Sequence, residues 1–130
     1  MLTGKDTKLR FAVAVSRDSR AALAGRAIGQ AARSGLGDGP ADLACLFFSS
    51  HYAERARELS EAVREELGPR LLLGCTGEGV IAGTEEIEGK AAVTLWAARL
   101  PGAQLTPVRP SFTQQQREDT LAVTGWPDNV

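Results

Sequence analysis

The chain has 130 residues, 43% of them hydrophobic and 24% charged, a globular composition for one domain or a piece of one that excludes disordered and collagen-like polypeptides. Its 15 basic and 16 acidic side chains leave a formal charge of −1, so there is no basic field for nucleic acid, and no apolar run approaches the ~20 residues of a membrane-spanning helix. Two cysteines and a single histidine, His51, exclude a disulfide-built scaffold and a zinc centre made from several histidines.

Residues 1–10 read as an N-terminal tail without the apolar core of a signal peptide, which makes the cytoplasm the expected compartment. Phe11 to Val15 is apolar at consecutive positions, the pattern of a strand covered on both faces in a parallel sheet. After the polar Ser16-Arg17-Asp18-Ser19, the spacing of Leu23, Ala24, Ala27, Ile28 and Ala31 predicts a helix from about Ser19 to Ser34. Gly25 and Gly29 weaken that helix but permit close packing, and Gly35 to Pro40 ends it.

A second, central strand is predicted at Leu43 to Phe48, bounded by Ser49-Ser50-His51. From Tyr52 to Leu67 the residues Ala56, Leu59, Ala62, Val63 and Leu67 share one helical face, with arginines and glutamates on the other. Gly68-Pro69 stops this helix, and Leu71 to Thr76 reads as a third buried strand. Ala91 to Leu100 then predicts a strand, Pro101-Gly102 a turn and Leu105 to Phe112 a returning hairpin strand, confined to an edge by Pro107 and Pro110. The fold class expected is therefore α/β, a βαβαβ opening with parallel central strands and then an antiparallel hairpin, over residues 11–112. Residues 113–130 form a polar extension that looks like an interrupted continuation of the domain.

In such a topology the carboxyl ends of the first three strands share one rim, where open α/β sheets bind ligands. Ser16, Ser49 and the run Gly74-Cys75-Thr76-Gly77-Glu78-Gly79 all fall there. Glycines alternating with small residues let main-chain N–H groups approach a ligand, yet the run is neither a phosphate-binding Gly-Lys-Ser/Thr loop nor a dinucleotide fingerprint. The same run also reads simply as a glycine-dependent turn. Cys75 is either a packed thiol or a nucleophile with His51 as its base, which keeps an enzyme as an alternative. His51 is also the one imidazole available to a haem.

The residues Gly74 to Gly83, then Glu86-Ile87-Glu88, then Ala92 to Gly102 resemble the N-terminal part of the FIST domain, named for F-box and intracellular signal transduction proteins. Val15-Ser16 and Leu46-Phe47-Phe48-Ser49, each with the helix that follows, extend the resemblance over about Phe11 to Phe112. It implies a cytoplasmic sensory module for a small ligand of the amino-acid or amino-acid-derivative class, and the leading expectation for this chain is a non-catalytic module without a cofactor. It also implies a FIST C-terminal domain or a signalling output protein as partner, and haem-dependent nitric oxide sensing as an alternative. The ligand-binding candidates are Ser16, Ser49, Cys75, Thr76, Gly77, Glu78 and Gly79, of which Cys75, Thr76, Gly77 and Glu78 carry the motif. The chain stops short of the usual FIST length, and sheet edges left open by missing strands would favour self-association.

Overall fold

A computed structural model describes residues 8–116 and 119–128. Along it run β1 (Arg10–Ser16), α1 (Ala21–Leu36), β2 (Leu43–Ser49), a 3-10 turn (Ser50–Arg55), α2 (Ala56–Leu67), β3 (Leu71–Gly77), β4 (Gly79–Ala82), β5 (Glu85–Glu88), β6 (Val93–Arg99), β7 (Ser111–Gln114) and β8 (Leu121–Thr124). The α/β class and the parallel opening are as expected, and the tail residues 1–7 lie outside the described residues.

The main sheet has the order β1-β6-β2-β3. β2 and β3 are parallel, and β6 is antiparallel to both β1 and β2, so β1, β2 and β3 all run the same way. Because those three strands advance across the sheet in one direction, crossovers of a single hand deliver both helices to the same face. Ala12 and Ala14 of β1, Ala44, Leu46 and Phe48 of β2, and Val93, Leu95 and Ala97 of β6 bury against Ala24, Ile28, Leu59 and Val63 of the helices. Full burial of a side chain such as Ile28 or Leu59 is worth roughly 2 kcal/mol. The helices approach closely where Gly25 and Gly29 face α2: a Cβ on Gly25 would sit 2.6 Å from the Leu59 carbonyl oxygen, and one on Gly29 2.7 Å from Glu66 Cβ.

The opposite face carries no helix among the described residues. Its rows are Val15-Thr94-Phe47-Cys75, Val13-Trp96-Cys45-Leu73 and Phe11-Ala98-Leu43-Leu71, read across β1, β6, β2 and β3. Val13 and Leu73 are each 58% exposed, which corrects the expectation that the first strand is covered on both faces. The third strand, expected to be buried, is instead an edge: β3 pairs only with β2 among the described strands, and Leu73 to Thr76 are exposed. Consecutive apolar residues register two apolar faces, but not whether a second layer covers both.

Two smaller hairpins complete the chain. β4 and β5 pair antiparallel, and Val80 and Ile87 bury against Ala92 to make a second, small core. The strand expected at Leu105 to Phe112 is not the partner of β6, whose neighbours are β1 and β2. The turn at Pro101-Gly102 does form, with the Ala103 N–H donating to the Leu100 carbonyl at 3.1 Å, but only from Ser111 does the chain become a strand, pairing with β8. Proline at 107 and 110 removes two ladder donors, which accounts for the irregular stretch between. β7 runs across the expected domain boundary at 112/113.

At the far end of the sheet Arg99, 1% exposed, donates from Nε to the Pro40 carbonyl at 3.0 Å and from a terminal nitrogen to that of Gly37 at 3.2 Å. Gly39, at φ 134°, lies on the guanidinium, where a Cβ would come within 2.7 Å of Arg99 Cζ. The glycine-rich loop after α1 is thus held by a buried arginine.

Candidate cleft on the open sheet face

The shared rim is present, but it holds no common cavity for the predicted residues. β6 separates β1 from β2, so Ser16 and Ser49 do not leave neighbouring strands. Ser16 lies on the helix side of the sheet, in one row with Val93, Phe48 and Thr76, and its hydroxyl accepts from the Asp18 N–H at 3.2 Å. Asp18 also accepts from the Arg20 main-chain N–H and guanidinium at 2.8–2.9 Å. Those Arg20 hydrogen bonds, side chain first, hold the Asp18 carboxyl down at about 2. Tyr52, 1% exposed, donates its hydroxyl to the Asp18 carbonyl, and burial pushes its own pKa up. This hydroxyl ties the 3-10 turn after β2 to the turn after β1.

Ser49 is 3% exposed. Its hydroxyl accepts from the Ala92 N–H at 3.1 Å and sits 3.0 Å from His51 Nδ1. Because the Ser49 N–H also donates to the Ala92 carbonyl, the residue ties β2 to the start of β6 and is not available to a ligand. His51 is exposed at the start of the 3-10 turn and is not among the residues lining the cleft described below.

The remaining candidates divide. Glu78 is exposed and is not among the residues of the lining, whereas Cys75, Thr76, Gly77 and Gly79 do line a cleft. That cleft lies on the open face of the sheet, under the overhang of the β4–β5 hairpin, and has a volume of about 620 Å3. Its floor is Val13, Phe47, Thr94 and Trp96, and its wall is Val80, Ile81 and Gly83 of the hairpin. Trp96 is held by stacking on Phe11, ring centroids 5.6 Å apart and planes 28° off parallel. Thr94 donates its hydroxyl to the Ile81 carbonyl at 3.0 Å, and Arg17 pairs with Glu85, so the hairpin is fastened to the floor at two points.

Cys75 presents an exposed thiol to the cleft. Cys45, one row away on the adjacent strand, is half-buried, and desolvation first and the neighbouring Cys75 second push its thiol pKa up. Val13, Phe47 and Trp96, which form most of the cleft floor, read in the sequence only as strand positions. The signal was available in Thr94 and Trp96, a polar and an aromatic side chain alternating on a strand whose other residues before Arg99 are aliphatic.

Comparison with known proteins adds a family. The FIST N domain model matches residues 42–123. The uncharacterized protein MT0656 of Mycobacterium tuberculosis is 33% identical over 96 residues, which is 74% of this chain and 25% of that protein. The uncharacterized protein Mb0898c of Mycobacterium bovis is 35% identical over 91 residues, 70% of this chain and 23% of that protein. The chain thus spans about a quarter of the length of these curated relatives. No solved structure matches at a significant level.

Proposed function

The chain belongs to the FIST family through its FIST N domain, and from that membership and the cleft we propose that it is the small-ligand-binding part of a sensory protein in signal transduction. The observation that carries the reading is the 620 Å3 cleft between the open sheet face and the β4–β5 hairpin. Its volume falls in the range of small-molecule sites, and its lining is mostly apolar with a few polar groups, as such sites are. The ligand class is that of amino acids or their derivatives, and the setting is the cytoplasm. No helix among the described residues is long and apolar enough to cross a membrane.

A ligand seated here touches the rigid floor and the hairpin at once. The hairpin is joined to β3 through Gly77-Glu78-Gly79 and turns away at Gly89, at φ 67°. Its position is therefore the coordinate through which binding passes to a FIST C-terminal domain or an output protein, by differing affinity for two hairpin positions. We read binding rather than catalysis, since among the described residues no histidine or carboxylate joins Cys75 in the cleft lining.

The test is thermal denaturation across a panel of amino acids and their amides, esters and lactones. A ligand at 100 times its Kd adds about 2.7 kcal/mol of stability. The shift should vanish in Cys75→Trp, which fills the cleft from an exposed strand position. A shift that survives this substitution, or a flat response to the whole panel, refutes the reading.

A further inference from the structure

Burying a charge in an apolar site without a partner is costly, because the lost hydration is not replaced. Among the described residues no Asp, Glu, Lys, Arg or His side chain lines the cleft. The charged groups on or beside the hairpin stay outside the lining: Arg17 is already paired with Glu85, and Glu78, Glu86, Glu88 and Lys90 are exposed to water. A free amino acid would bring a carboxylate with no cation to meet it, toward a hairpin that is itself acidic. Of the polar residues in the lining, Thr94 already donates to Ile81, Thr76 alternates to the helix-side row of the sheet so that its main chain borders the cleft, and Cys75 offers only a weakly polar thiol. The floor offers two aromatic rings, Trp96 and Phe47, diagonal neighbours on the open face, and Trp96 is held in place by Phe11. Aromatic faces of this kind favour flat, apolar bodies.

We infer that the cleft takes an uncharged, largely apolar small molecule with a flat ring, an amino-acid derivative only if its charges have been removed. This rests on the ligand-binding reading above and narrows it. The polar end of such a ligand meets the main chain at Gly77, where β3 has no ladder partner on its outer edge among the described strands, close to Gly79 at the start of β4.

Trp126 does not line the cleft, so Trp126→Phe leaves Trp96 as the sole tryptophan and its emission as the reporter. This variant is titrated with four compounds that share ring and chain and differ in charge: 3-phenylpropanamide, 3-phenylpropanoate, 3-phenylpropylamine and phenylalanine. The amide should bind at least tenfold more tightly than each of the others. Phenylalanine or the carboxylate binding as tightly as the amide overturns this inference and leaves the ligand-binding cleft standing. No change in Trp96 emission or Tm with any of the four overturns both. Cys75→Asp, and separately Phe47→Asp, should reverse the order, weakening the amide and strengthening the amine about tenfold. Circular dichroism verifies that each variant is folded, and an unreversed order in a folded variant places binding elsewhere and overturns the inference.

Discussion

Replacing Gly25 with alanine sets helix propensity against packing, and the two predict opposite signs. Gly25 lies inside α1, where alanine is the better helix former by about 1 kcal/mol. The new Cβ, however, would stand 2.6 Å from the Leu59 carbonyl oxygen and 2.8 Å from Ala62 Cβ. Neither obstacle is the far end of a flexible side chain, so α1 and α2 must move apart. Overpacking of this sort costs about 1–3 kcal/mol, and two contacts this short belong at the upper end. The net expectation is a loss of about 2 kcal/mol, seen as a Tm lower by roughly 8 °C and a reduced urea midpoint with unchanged slope. Ala27→Gly, on the exposed side of the same helix, isolates the propensity effect and should cost about 1 kcal/mol. Adding Ala62→Gly to Gly25→Ala removes one clash and leaves the carbonyl, so it should restore only part of the loss. A Gly25→Ala protein as stable as the parent would refute the close helix contact.

Arg99→Met should lower stability by about 3 kcal/mol in urea denaturation, because the Gly37 and Pro40 carbonyls lose a charged donor, and Arg99→Lys should not restore it, since one ammonium cannot serve both. Iodoacetamide should label one thiol fast and one slowly: Cys75 is exposed, while Cys45 is half-buried with its pKa raised, so Cys75→Ser should abolish the fast phase. Asp18 is held at about 2 in the folded chain against an ordinary 3.8, chiefly by the Arg20 hydrogen bonds. Since the folded value is the lower one, its contribution is full above pH 4 and is lost as pH falls toward 2. The Tm difference between the parent and Asp18→Asn should shrink through that window, and a difference independent of pH would refute the assignment.

Much of the order of elements was legible in the residues, because it depends on local spacing. The apolar stripe Leu59, Ala62, Val63 allows no other face for α2, and Gly25 and Gly29 announced the close helix contact that the structure contains. The glycine-rich run at 74–79 spans the end of β3 and the start of β4, and four of its residues line the cleft. Ser16 and Ser49 illustrate the limit: each lies at the rim, but alternation in the strand turns Ser16 to the helix side and a hydrogen bond to Ala92 removes Ser49.

What the tertiary structure alone decided is the partnering of strands. Inserting β6 between β1 and β2 joins residues about 80 positions apart, as in Val13 opposite Trp96, and no local pattern encodes such a pairing. The same holds for the open face: an apolar run specifies what a strand avoids, water, but the direction in which successive crossovers advance determines which face receives the helices. Here both helices went to one side, and the cleft exists because the other side, with Trp96 and Phe47 on it, was left to a small hairpin.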